Sequence, residues 1–216
     1  MSSPLWLPDR RLFLGSMGAL GASFFTTRGL FAEELMRTPP QMEGPFYPDR
    51  LPLDTDNDLL IINDTITPGV GEITHLTGRV VDVAGRPIAG AAVEIWQCDS
   101  AGAYLHSESG NAERRDGNFQ GFGRFTTGRS GEYYFRTIKP VPYPGRSPHI
   151  HVKVKLRDRD LLTTQCYIKG DAGNPRDGVW KNLPDDAARA AVTIDFAKIP
   201  DSRIGELAAR FDLIVG

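Results

Sequence analysis

The segment from His149 to Leu156 alternates polar and apolar residues without a break, reading His-Ile-His-Val-Lys-Val-Lys-Leu. Because successive side chains of a β-strand point to opposite faces, this segment predicts a strand with one face on a hydrophobic core. His149 and His151 would share the other face. The chain also contains 23 Gly and 16 Pro, which favour short strands joined by turns over long helices. We therefore expect an all-β fold, a β-sandwich of mostly antiparallel strands with long loops.

Similar patterns predict the other elements of this sandwich. The predicted strands cover 76–83, 91–98, 131–136, 163–168, 191–196 and 210–215, and a short helix covers 185–190. Residues 84–87, Ala-Gly-Arg-Pro, predict a tight connection between the first two strands.

The N-terminal region predicts export. Residues 9–14 read Asp-Arg-Arg-Leu-Phe-Leu and precede an apolar, glycine-rich stretch that reaches Phe25. This order is similar to a twin-arginine export signal. The apolar stretch is shorter than the roughly 20 residues that span a bilayer, so we expect a periplasmic protein with no stable membrane span after processing. A chance arginine pair on an amphipathic tail is the alternative.

Composition divides the chain into three regions and excludes one class of partner. We expect a signal at 1–32, an extended proline-rich arm at 33–75 and the β-sandwich at 76–216, because proline cannot donate to helix or strand ladders. The formal charge is −2 and basic residues form no stripe, which argues against nucleic-acid binding.

Cys98 and Cys166 fit no CxxC motif, so they are either core residues or a disulfide.

The histidine pair carries the chemical signal. Two imidazoles on one face of a strand can reach one ion, and Tyr143 and Arg146 lie just before them in a proline-rich loop. No Asp or Glu occurs from Tyr143 to Lys155, although zinc sites often add a carboxylate or a thiolate to histidines. A phenol has a pKa of about 10 and becomes a metal ligand beside a strong Lewis acid such as ferric iron.

Several motifs resemble those of the intradiol ring-cleavage dioxygenases, in the order in which that family has them. They are Gly-Pro-Phe-Tyr-Pro at 44–48, Gly-Arg-Val at 78–80, Val-Glu-Ile-Trp-Gln at 93–97, Ala-Gly-Ala-Tyr at 101–104, Gly-Arg-Phe at 123–125, Phe-Arg-Thr-Ile-Lys-Pro at 135–140, Pro-Tyr-Pro at 142–144 and Arg-Ser-Pro-His-Ile-His at 146–151. The resemblance covers most of the chain from Gly44 to Asp171.

This resemblance implies Fe(III) as the cofactor and assigns roles to individual residues. It implies that Tyr104, Tyr143, His149 and His151 bind the iron, and that an incoming diphenol displaces Tyr143. It also implies that Arg146 faces the substrate and that Gln165 matches a further active-site glutamine.

The implied reaction opens a catechol-type ring with O₂, between its two hydroxylated carbons, and gives a muconate-type diacid. The stretch from Tyr143 to His149 is shorter than in the family's protocatechuate and catechol enzymes, which leaves the substrate open and allows a bulkier catechol. Two other functions stay open. Residues 81–90 also resemble the opening hairpin of extracellular modules, which suggests an exported, non-catalytic β-sandwich binding module, and the histidine pair alone would suit a zinc hydrolase. A homo-oligomer is one possible assembly.

Overall fold

Two sheets form the body of the molecule in the computed structural model, which describes residues 34–63 and 67–216. The strands of the described part are β1 Ile73–Asp82, β2 Ala92–Trp96, β3 Phe122–Thr126, β4 Glu132–Ile138, β5 His149–Leu156, β6 Arg159–Ile168, β7 Thr193–Ile194, β8 Phe196–Lys198, β9 Leu207–Arg210 and β10 Leu213–Val215. The helices are α1 Gly178–Lys181 and α2 Asp186–Ala191, with 3₁₀ turns at Ala112–Arg114 and Asn174–Arg176. The predicted export signal at 1–32 lies outside the described residues.

The two sheets pack face to face, as expected for a sandwich. In the first sheet, β1 pairs with β4 in antiparallel fashion and with β9 and β10 in parallel, and β8 joins β9. The second sheet has the order β3-β2-β5-β6-β7. Their facing side chains form one hydrophobic core, with Leu76, Val80 and Phe135 from the first sheet and Ile95 and Val152 from the second. The predicted all-β sandwich is confirmed.

The segment before β1 runs along the edges of both sheets without regular structure of its own. The Thr38 amide donates to the Ile214 carbonyl of the first sheet at 3.0 Å, and the Gln41 amide donates to the Thr163 carbonyl of the second at 2.8 Å. The acidic run at 54–58 binds its own backbone: the Asp56 carboxylate, for example, accepts the amide of Asp58 at 2.8 Å. This segment therefore brings residues 41–47 over the outer face of the second sheet.

Strand β5 has the predicted bounds, but the connection after β1 differs from a hairpin. The Gly85 amide donates to the Asp82 carbonyl at 2.8 Å, so a tight turn forms as expected. The strands that follow and precede it nevertheless lie in different sheets, because β1 pairs with β4 while β2 pairs with β3 and β5. The turn carries the chain across the sandwich.

The predicted strand at 210–215 was wrong in one respect, since the structure divides this region into β9 and β10. Phe211 belongs to neither strand: its amide still donates to the Thr77 carbonyl of β1 at 2.8 Å, but its carbonyl accepts the hydroxyl of Tyr133. A Cβ at Gly78 would lie 2.0 Å from the Phe211 carbonyl oxygen, so only glycine permits this close approach. Two distant residues thus set the break, which the local pattern does not reveal.

Other boundaries were also wrong. The predicted strand at 191–196 is the end of α2 followed by β7 and β8, which belong to different sheets. Helix α2 is shifted by one residue because Asp185 is its N-cap and accepts the Ala188 amide at 2.7 Å. Strand β3 and helix α1 were missed.

Cys98 and Cys166 are both buried and free, so no disulfide joins them. Within residues 34–63 and 67–216, no helix is both long enough and apolar enough to cross a membrane.

Candidate metal centre

The outer face of the second sheet forms the floor of the site. His151 pairs with Trp96 on β2 and with Gln165 on β6, and His149 pairs with Tyr167 on β6. The Trp96 and His151 rings stack with centroids 4.7 Å apart and an angle of 11°. Because the alternate residues of these strands fill the core, the sandwich holds both imidazoles on a rigid platform.

The two imidazoles converge through their Nε2 atoms, which lie 3.1 Å apart. His149 Nδ1 lies 2.7 Å from the Ser147 carbonyl oxygen, which can only accept, so Nδ1 carries the proton and Nε2 keeps its lone pair. Burial, followed by the charge of Arg146, lowers the pKa of His149 to about 4. Burial, followed by His149, lowers the pKa of His151 well below its usual value. Both rings are therefore neutral, the form in which imidazole binds metals.

Tyr104 approaches the pair from the loop after β2. Its hydroxyl oxygen lies 3.3 Å from His149 Nε2. The Asp99 carboxylate shapes this loop by accepting the amides of Ala101 and Ala103, and the Ser109 hydroxyl accepts the amide of Tyr104 at 2.7 Å. The side chain is almost fully buried, and burial raises its pKa well above 10.

Tyr143 and Arg146 form the first and last residues of a β-turn. The Arg146 amide donates to the Tyr143 carbonyl at 3.0 Å. Pro144 and Gly145 occupy the middle positions, and Gly145 has a φ of 83°, which is the pattern of a type II turn. The turn places Arg146 Nη1 3.4 Å from the Tyr143 hydroxyl, and the Tyr143 ring stands edge-on to Tyr104 with centroids 5.5 Å apart.

Arg146 extends across the floor towards β6. Its Nη2 donates to Gln165 Oε1 and lies 3.3 Å from the Tyr167 hydroxyl. Tyr143 and Arg146 are only partly buried, whereas Tyr104, Gln165 and both histidines are buried. The site therefore opens towards solvent beside the turn.

All six residues selected from the sequence thus lie together, and the structure adds partners that sequence reasoning missed. The Asp177 carboxylate holds Arg146 and Ser147, and Phe46 stacks on Tyr104 with centroids 5.0 Å apart. Gly44 lies against the His151 ring, since a Cβ added at Gly44 would be 3.4 Å from His151 Cε1. The alternation along β2 could have indicated Trp96: Ile95 faces the core, so its neighbour Trp96 faces the site on the other side of the sheet. Local sequence carried no signal for Asp177.

The donor set fits a strongly Lewis-acidic ion. Burial raises the pKa of Tyr143 as well as that of Tyr104, so both phenols keep their protons unless a highly charged metal lowers their pKa. Within residues 34–63 and 67–216, no group of three His, Cys, Asp or Glu residues is arranged to hold a metal. The donors that converge here are two neutral imidazoles and two phenols, a set suited to ferric iron and poor for zinc.

Comparison with known proteins shows that the chain is similar to dioxygenases. A family model described as "Dioxygenase" matches residues 42–215. The protocatechuate 3,4-dioxygenase beta chain of Burkholderia cepacia is 35% identical over 155 residues, which is 68% of this chain and 65% of that protein. The 6-chlorohydroxyquinol 1,2-dioxygenase of Cupriavidus pinatubonensis is 30% identical over 189 residues, covering 79% of this chain and 65% of that protein. Each match covers less than two thirds of the length of the relative.

Solved structures show the same fold. The dioxygenase domain of a dioxygenase and carbohydrate-binding protein fusion from Streptomyces sp. SirexAA-E has a TM-score of 0.62 and 30% identity, covering 83% of this chain and 97% of that one. An intradiol ring-cleavage dioxygenase from Tetranychus urticae has a TM-score of 0.66 and 22% identity, covering 84% and 95%. Because the Tetranychus urticae protein is 22% identical to this chain, its similarity shows the fold alone.

Proposed function

The chain belongs to the intradiol ring-cleavage dioxygenase family, and from this premise we propose that it is a non-haem Fe(III) enzyme. Its proposed reaction opens a catechol-type ring with O₂ between the two hydroxylated carbons and yields a muconate-type diacid. One observation carries the proposal: two neutral imidazoles and two phenols, from one strand and two separate loops, converge at the open side of a rigid sheet.

The proposed iron ligands are Tyr104, Tyr143, His149 and His151. When bound, Fe(III) would supply a Lewis acid that draws electron density from a chelated catecholate. His149 offers Nε2 because the Ser147 carbonyl holds the proton on Nδ1. Tyr104 is buried against Phe46 and is the fixed phenol.

Tyr143 is the phenol placed to exchange a proton with substrate. It is half-buried and lies where the site opens, whereas Tyr104 is enclosed. Arg146 Nη1 lies 3.4 Å from its oxygen and would stabilise a phenolate there. We therefore propose that Tyr143, as the phenolate that an iron-loaded site would hold, accepts a proton from the incoming diphenol and becomes the neutral phenol.

Arg146 and Gln165 are assigned to the substrate. A guanidinium stays positively charged at working pH and would stabilise negative charge that develops on the ring carbon. Its side chain is 15% exposed, so a bound ring would exclude most of the remaining water and strengthen this interaction. Gln165 orients the guanidinium by accepting from Nη2.

Purification of the full chain with iron available tests this function. We expect one iron per chain, a visible tyrosinate-to-iron absorption band, and O₂ uptake with substituted catechols whose products show cleavage between the hydroxyls. Tyr104→Phe and Tyr143→Phe should each shift or bleach the band. Tyr134→Phe is the matched control, because the Tyr134 hydroxyl bonds His75 on the first sheet at 2.7 Å and should leave the band unchanged.

The alternatives predict different results in the same preparation. A colourless protein that takes up no iron would favour a binding module, and one zinc per chain would favour a hydrolase. Products cleaved beside the hydroxyls would contradict an intradiol reaction.

We also propose periplasmic export through the twin-arginine route, on the basis of Arg10 and Arg11. Replacing both with lysine should retain the protein in the cytoplasm of a host that has this route. Unchanged periplasmic recovery would contradict the proposal.

A further inference from the structure

The carboxylate of Asp177 connects the site to helix α1. Its side chain is 0% exposed. Oδ2 accepts three hydrogen bonds from the loop before β5: Arg146 Nε at 2.9 Å, the Ser147 amide at 2.9 Å and the Ser147 hydroxyl at 3.0 Å. An ionised carboxylate only accepts, so it suits three converging donors.

The other oxygen of the same carboxylate caps helix α1. Oδ1 accepts the amides of Val179 at 2.8 Å and Trp180 at 3.1 Å. Burial alone would raise the pKa of Asp177, but the Ser147 and Trp180 amides and Arg146 lower it, so the group is charged at neutral pH. A helix cap requires Oδ1 alone. The three bonds to Oδ2 hold the loop before β5, and capping of α1 does not need them.

These bonds constrain two groups of the candidate centre at once. Arg146 is held through Nε, which leaves Nη1 directed at Tyr143 and Nη2 at Gln165. Ser147 is held through its amide and hydroxyl, and its carbonyl accepts a hydrogen bond from His149 Nδ1. The direction of the guanidinium and the tautomer of His149 therefore depend on one buried carboxylate.

We infer that Asp177 is a positioning residue for the reaction, which aims the Arg146 guanidinium at the substrate and, through Ser147, keeps His149 Nε2 free to bind the metal. This inference rests on the proposed function. Partners that orient metal ligands in this way commonly change activity about 10- to 100-fold when they are removed.

Asp177→Asn separates positioning from capping. Asparagine caps helices about as well as aspartate, but one amide oxygen and one NH₂ group cannot accept from both the helix amides and the three loop donors. Asp185→Asn is the matched control, since the Asp185 carboxylate caps α2 through the Ala188 amide. Both variants are made in the full chain and loaded with iron.

We expect Asp177→Asn to lower kcat per bound iron about 10- to 100-fold, with a smaller change in KM, and to shift the visible band. Asp185→Asn should keep the wild-type kcat, KM and band. A residue that only supports the fold would change the yield of folded protein and not kcat per iron. Wild-type kcat and an unshifted band in Asp177→Asn would overturn the inference.

A second measurement needs no turnover. In full chain loaded with Ga(III), a diamagnetic substitute for Fe(III), the Arg146 Nε–Hε NMR signal is assigned by its loss in Arg146→Lys. We expect Asp177→Asn to shift or lose this signal and Asp185→Asn to preserve it; an unchanged signal in Asp177→Asn would overturn the inference. If wild-type protein cleaves no catechol, the proposed function fails while this signal still decides the role of Asp177.

Ser147→Ala covers the case in which Asp177→Asn does not fold. It removes one donor to Oδ2 and should lower kcat and shift the band in the same directions, to a smaller extent. Wild-type kcat and band in Ser147→Ala would then overturn the inference.

Discussion

Acid should destabilise the metal-free protein through its buried histidine pair. His149 is 1% exposed and its pKa is lowered to about 4, first by burial and then by Arg146. In the unfolded chain it returns to about 6.5. Between these values the unfolded state binds more protons than the folded state, so stability falls as the pH drops through about 6.5 and the loss is complete below about 4.

The size of this effect follows from the two pKa values. Linkage gives a loss of about 1.2 kcal/mol in the free energy of unfolding from His149 alone between about pH 7 and pH 5.5. His151 adds a loss in the same direction, because burial also lowers its pKa. The carboxylates with lowered pKa, among them Glu94 and Asp177, titrate chiefly below this window.

Urea unfolding of the metal-free full chain at these two pH values measures the loss. In His149→Gln the pH-dependent loss should shrink by about 1.2 kcal/mol, since this side chain no longer takes up a proton on unfolding. His106→Gln is the control, because it leaves the buried pair intact and should retain the full loss. Equal losses in His149→Gln and the wild type would refute the reasoning.

Three further substitutions test the surroundings of the site. Glu94→Ala should lower the free energy of unfolding in urea by about 1–2 kcal/mol, because it removes charge-assisted hydrogen bonds to Arg124 and Lys155, whose side chains are 40% and 29% exposed and stay solvated; a loss near zero would contradict this. Ile150→Ala should cost about 2–5 kcal/mol, yet keep the visible band per bound iron, because this side chain faces the core. Gly145→Ala should lower the free energy of unfolding by about 1–2 kcal/mol, since Gly145 has a φ of 83°. It should also lower kcat, because the turn positions Tyr143 and Arg146; unchanged kcat would argue against this role of the turn.

The parts of the fold that depend on local pattern were predictable. Strand β5 begins and ends at the predicted residues because its alternation is unbroken from His149 to Leu156. The break between β9 and β10 was not predictable, since it depends on the approach of Phe211 to Gly78, more than a hundred residues earlier. The pairing partners of each strand are also distant in sequence. The pattern around β1 and β2 therefore predicted a simple hairpin, although the chain crosses there to the other sheet.

The candidate site divides in the same way. Tyr143, Arg146, His149 and His151 fall within nine residues, and turn and strand geometry alone bring them close. Tyr104 lies 45 residues before His149, and only the family resemblance indicated it. Asp177 lies 31 residues after Arg146 and has no motif, so its contact required the folded chain.

The central claim is that Tyr104, Tyr143, His149 and His151 hold one Fe(III). A crystal structure of the iron-loaded full chain, with anomalous diffraction at the iron edge, tests it most directly. We predict a single iron peak within bonding distance of both phenol oxygens and both Nε2 atoms. An iron bound elsewhere, or bound by the histidines with both phenols turned away, would contradict it.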